Sequence, residues 1–66
     1  SEYDASIIKK LIPILSSRKI GHYYGVCKST ILSIKKGTTW SYVPVNKEIN
    51  LIPLIVEIEA KYSARF

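Results

Sequence analysis

The sequence predicts an all-α fold: a small three-helix core followed by a C-terminal apolar helix. Three observations carry that expectation. Apolar residues recur at helical spacing in successive segments. Gly25 and Gly37 stand where such segments stop, and Pro44 forbids helix between the third segment and the last. A chain of 66 residues makes one domain, near the lower limit at which a single apolar core holds a fold unaided.

The first helix is expected over about residues 4–15. Ser1 to Tyr3 reads as a loose end, and the missing Met as processing or a tag scar. Asp4 can cap, because its carboxylate accepts from free backbone N–H groups. Ile7, Ile8, Leu11, Ile12 and Leu15 then share a face, with Lys9 and Lys10 on the other. Pro13 lacks an N–H, so a kink or an early end is expected there.

Ser16 and Ser17 can cap a second helix over about 17–24. Ile20 and Tyr24 lie on one side with Gly21 between them, where Gly costs ~1 kcal/mol relative to Ala. A crossing helix too close for a side chain would justify that cost. Gly25 supplies the positive φ that ends a helix cheaply, and Val26 plugs the corner. Cys27 or Ser29 opens a third helix over about 28–36. Ile31 and Ile34 point inward there, and Lys35 and Lys36 stand at its negative end.

Trp40 is expected to fold the segment after Gly37 back onto the first helix, and Ser41 to Ile49 to be irregular. Asn50 caps a last helix over about 50–63, with Pro53 tolerable in its first turn. The run LIVEI also suits a strand. Glu57 and Lys61 are spaced as an i,i+4 pair.

Charge narrows the function. The net charge is +5, yet from Ala5 to Lys47 there is no Asp or Glu. That span holds Lys9, Lys10, Arg18, Lys19, Lys28, Lys35, Lys36 and Lys47, and the tail after it is near neutral. A surface kept soluble by charge usually mixes both signs, so the basic block points to a polyanion. Its apolar runs fall far short of the ~20 residues that span a bilayer, and no signal peptide is expected. One Cys and one His cannot supply a structural zinc site, and a lone Cys makes no internal disulfide. The chain therefore reads as cytoplasmic, with no cofactor and no metal.

The run Ile20, Gly21, Tyr24, Gly25, Val26, Ile31, Ile34 resembles the helix-turn-helix core: apolar, small, apolar, turn glycine, apolar, then two apolar residues on the second helix. The string GVCKSTILSIKKGTTW looks like the short helix-turn-helix modules of phage HNH homing endonucleases and of DNA invertases and transposases. The resemblance covers Ile7 to Trp40. Gly21 stands where Ala is usual, and Cys27 where a capping Ser or Thr is usual. The resemblance implies a second helix lying in the major groove of double-stranded DNA. Base readers would then be Lys28, Ser29, Thr30 and Ser33, and phosphate-binding cations Arg18, Lys19, Lys35 and Lys36. Leu32 would touch a thymine methyl or pack against Trp40.

Other residues read more plainly. His22 is a surface residue, Cys27 a small buried hydrophobe with no base nearby in sequence. Tyr23, Tyr24 and Tyr42 pack at the core and rim rather than stack on bases. Glu57 and Glu59 are two apart and do not face each other on a helix, so a catalytic carboxylate pair is not expected. Seven large apolar residues between Leu51 and Tyr62 exceed one buried stripe. Leu51, Ile52, Ile55, Val56 and Ile58 are accordingly expected at a homodimer interface, with half-sites ~34–36 Å apart. The expected function is sequence-specific DNA binding by a small phage- or mobile-element-type transcriptional regulator, not catalysis. The alternatives are the DNA-targeting module of a larger endonuclease or recombinase, and an adaptor that grips a polymerase or nuclease.

Overall fold

The computed structural model describes residues 2–64. They form α1 (Glu2–Leu11), α2 (Ser17–Tyr24), α3 (Lys28–Lys36) and α4 (Leu51–Ala64), with no strand among them. The LIVEI run is therefore helix. α2 runs through the middle, packed on α3 along one flank and on α4 along another, while α1 crosses α3. Each helix contributes one fully buried side chain to the centre: Leu11, Ile20, Ile31 and Ile58. Ile7, Ile8, Ile34 and Leu51 complete the core, and none of the helices is long and apolar enough to cross a membrane.

α1 departs from expectation at both ends. It starts at Glu2, so Tyr3 is helical and Asp4 lies within the first turn instead of capping it. It stops at Leu11, because the turn around Pro13 tightens: the Ile14 and Leu15 N–H groups both donate to the Leu11 carbonyl. Proline has no N–H with which to continue the ladder. Ile14 is left 53% exposed.

Ser16 begins α2 as expected, its hydroxyl accepting from the Lys19 N–H at 3.3 Å. Gly25 ends it at φ 70°, with both the Gly25 and Val26 N–H groups on the Gly21 carbonyl. That turn explains Gly21 differently from the sequence reading. A Cβ there would meet the Val26 carbonyl oxygen at 2.8 Å, while the nearest atom of α3, Ile31 Cγ1, would be at 3.7 Å. The returning turn excludes the side chain more than the crossing helix does. Val26 is 40% exposed and so only partly fills the corner.

Past α3, Gly37 at φ 81° caps the helix, and the Thr38 N–H donates back to the Ser33 carbonyl. The loop that follows is fastened to α1. Trp40, at φ 55°, and Val43 both turn their carbonyls onto the Lys9 ammonium at 2.5 Å. Lys10 donates to the Ile49 carbonyl at 2.8 Å, and the Asn46 N–H to the Ser6 carbonyl. Asn50 then caps α4 through the Ile52 N–H, leaving Pro53 in the first turn, where an N–H is not needed.

Candidate nucleic-acid interface

Helical geometry sorts the side chains of α3. Ile31 and Ile34 are buried against α1 and α2, which seats the helix. At roughly 100° per residue the opposite face carries Ser29, Leu32, Ser33 and Lys36, with Lys28 and Lys35 along one edge. Lys28, Ser29, Lys35 and Lys36 are exposed, while Leu32 and Ser33 are half-buried. The amino end of α3 is open. Cys27 occupies the N-cap with no side-chain hydrogen bond, so N–H groups of the first turn point outward unopposed by any acid.

The residues expected to read bases do not all face one way. Lys28 and Ser29 stand free at the first turn. The Ser33 hydroxyl donates to the Ser29 carbonyl at 3.0 Å, which leaves its oxygen as an acceptor. Thr30 is exposed too, on the flank of α3 nearer α1, where it borders a cleft of about 190 Å³ with Ala5, Ile8, Tyr24 and Trp40.

The phosphate set divides likewise. Arg18, Lys35 and Lys36 are exposed and make no ion pair among the described residues. Lys19 does: its ammonium meets the Glu59 carboxylate at 2.6 Å and lies 5.8 Å from the Tyr62 ring. It fastens α2 to α4 and is not a free cation. Lys9 and Lys10 also leave the basic surface, being turned onto backbone carbonyls. Among the described residues outside α4, the exposed cations are thus Arg18, Lys28, Lys35, Lys36 and, on the loop, Lys47.

One neighbouring residue, Tyr42, departs from the core and rim packing expected of it. Tyr42 is 70% exposed, not a packing residue, and its ring lies 6.2 Å from that of Trp40. The adjacent Ser41 shares a shallow cleft with Lys35 and Gly37, which brings this part of the loop beside the carboxyl end of α3. Alternation or spacing gives no signal for it, because the loop's path is fixed by Lys9, far away in sequence.

Behind this face, the acids of α4 clasp it to α2. Tyr23 donates to Glu57 Oε2 at 2.7 Å, and the Lys61 ammonium sits 5.1 Å from the Tyr23 ring. Glu57 therefore bonds Tyr23 instead of forming the i,i+4 pair with Lys61. The bond to Glu57 raises the Tyr23 pKa, with burial adding to it. Burial first, then the nearby Asp4 charge, pushes Tyr24 up to about 12. Both phenols stay protonated near neutrality, as donors and not as bases. His22 is exposed and lies edge-on to Tyr62. Cys27 is exposed, contrary to the buried thiol expected.

The expected dimer interface is also corrected. Leu51 and Ile58 are core residues of the protomer, 7% and 0% exposed. Ile55 packs partly against that core. Ile52 and Val56 face solvent, 71% and 65% exposed. The helical spacing that takes Leu51, Ile55 and Ile58 to the core leaves the other two on the opposite side. No protein-family model, curated protein or solved structure matches the chain.

Proposed function

We propose that this protein binds double-stranded DNA with sequence preference, placing α3 in the major groove, as a small phage- or mobile-element-type transcriptional regulator of the cytoplasm. The observation that carries the reading is α3 itself: an outward face of Ser29, Ser33 and Lys36, flanked by Lys28 and Lys35, with no acid near it in sequence. A groove-inserted helix needs donors and acceptors at its amino end to meet base edges. Lys28, Ser29 and Ser33 supply them. Lys35, Lys36 and Arg18 stand where they can neutralise phosphates, which fixes register without specifying sequence.

Titration of duplex binding against salt is the test. Affinity should fall steeply as salt rises, with a log–log slope of roughly −0.9 for each phosphate that the protein neutralises. Lys28→Ala should cost ~1–3 kcal/mol on a selected site and relax its specificity, with much less effect on random duplex. A shallow salt dependence would overturn the DNA reading and favour an adaptor that binds another protein.

A further inference from the structure

The outer face of α4 is apolar along most of its length. Opposite its core-facing side chains lie Ile52, Pro53, Val56, Ala60 and Ser63, all exposed and all uncharged. The charged residues of this helix sit at its edges. Glu59 reaches Lys19 on one side, and Glu57 and Lys61 gather about Tyr23 on the other. α2 separates α4 from α3, so this face and the cationic face of α3 belong to different parts of the surface.

We infer that a second copy of the chain covers this face, α4 against α4, antiparallel about a two-fold axis at Val56. Two features of the face select a second copy as the occupant. The first is its charge. The protein carries +5, and copies repel through any surface holding Arg18, Lys28, Lys35 or Lys36. The α4 face has no charge to oppose its own image, so it is where like molecules can meet. The second is its order of sizes. Ile52 and Ala60 lie equally far from Val56, ~12 Å apart in all along the helix. An antiparallel two-fold sets each Ile52 against the partner's Ala60 and each Val56 against its own image. Large meets small at both ends, which lets two helix backbones approach closely. A parallel pair would instead oppose Ile52 to Ile52 and leave a gap at Ala60.

This pairing does not depend on DNA binding, and its test is run without DNA. Sedimentation equilibrium of the parent across micromolar to submillimolar concentrations should fit a monomer–dimer equilibrium. Val56→Lys puts two ammonium groups on the axis and should raise the dissociation constant at least roughly tenfold. Its melt should match the parent's monomer, because Val56 is exposed and outside the core. Ala60→Ile should weaken the dimer by clashing with Ile52. The double variant Ile52→Ala with Ala60→Ile exchanges the ends and should restore it. A parent that stays monomeric throughout would overturn the proposal, as would a dimer indifferent to Val56→Lys. Tightening by Ala60→Ile would overturn the antiparallel arrangement.

Discussion

Two Lys–Lys pairs, Lys9–Lys10 in α1 and Lys35–Lys36 in α3, sit in the last turns of their helices with nearly the same local chemistry. Each is well placed to offset the negative end of a helix dipole. Their fates differ. The loop after α3 returns over α1, and the first pair is spent on the carbonyls of Trp40, Val43 and Ile49. The second pair stays exposed to water. A cation counted in the sequence is therefore not yet a cation on the surface. What decides is whether a distant segment brings unpaired carbonyls to it, since buried carbonyls left without donors are costly.

The difference is sharpest in stability. Lys9→Met keeps the aliphatic stem but orphans the Val43 carbonyl and leaves the Trp40 carbonyl with only the Val43 N–H, and should destabilise by about 1–2 kcal/mol in a thermal or denaturant melt. Lys35→Met should lie within about 0.5 kcal/mol of the parent. Equal effects would erase the distinction between the pairs.

A second measurement asks what holds α3 outward. The Gly21 site admits no Cβ without moving the Val26 carbonyl. Gly21→Ala should therefore lose about 1 kcal/mol net, overpacking outweighing the gain in helix propensity, and Gly21→Leu should lose more. A Gly21→Ala protein more stable than the parent would mean that the turn yields freely and does not fix the angle of α3.

Binding separates the pairs in the opposite sense. Lys35→Ala and Lys36→Ala should each flatten the salt dependence of duplex affinity by about 0.9 log unit per log unit. Lys9→Met should leave that slope unchanged. A flatter slope for Lys9→Met would show its ammonium reaching phosphate, and the loop clamp would then not hold in the complex.

These contrasts mark where the sequence was legible. Ser16, Gly25, Gly37 and Asn50 act on neighbours within a few residues, so their roles as caps could be read directly. The helical spacing of Ile7, Ile8 and Leu11, or of Ile31 and Ile34, likewise chose the buried faces. The apolar excess of α4 was visible as a quantity, but the division of Leu51 and Ile58 from Ile52 and Val56 needed the direction of α2. The roles of Lys9 and Lys19 were hidden, because their partners lie 31 to 40 residues away and carbonyl oxygens leave no mark in a sequence. Asp4 was misplaced for a related reason: capping logic finds a capable residue but cannot say whether the helix has already begun.

The smallest expected effect lies at two N-caps that share one backbone geometry. Ser16 has φ −68° and ψ 153°, and Cys27 has φ −69° and ψ 150°. At Ser16 the hydroxyl satisfies the Lys19 N–H, whereas the thiol of Cys27 satisfies none. Cys27→Ser asks for no backbone change and should stabilise the protein by about 0.5–1 kcal/mol, read as a rise in melting temperature. Cys27→Asp should stabilise at least as much at low salt, since its carboxylate also meets the positive end of the α3 dipole. On duplex DNA the two variants should part. Serine leaves the amino end of α3 neutral, but aspartate places a negative charge where bases and phosphates approach. Binding by Cys27→Asp should therefore be weaker than by Cys27→Ser, while its melt is no lower. If both bind alike at every salt concentration, the amino end of α3 does not face the duplex, and the free lysines of this helix serve some other polyanion.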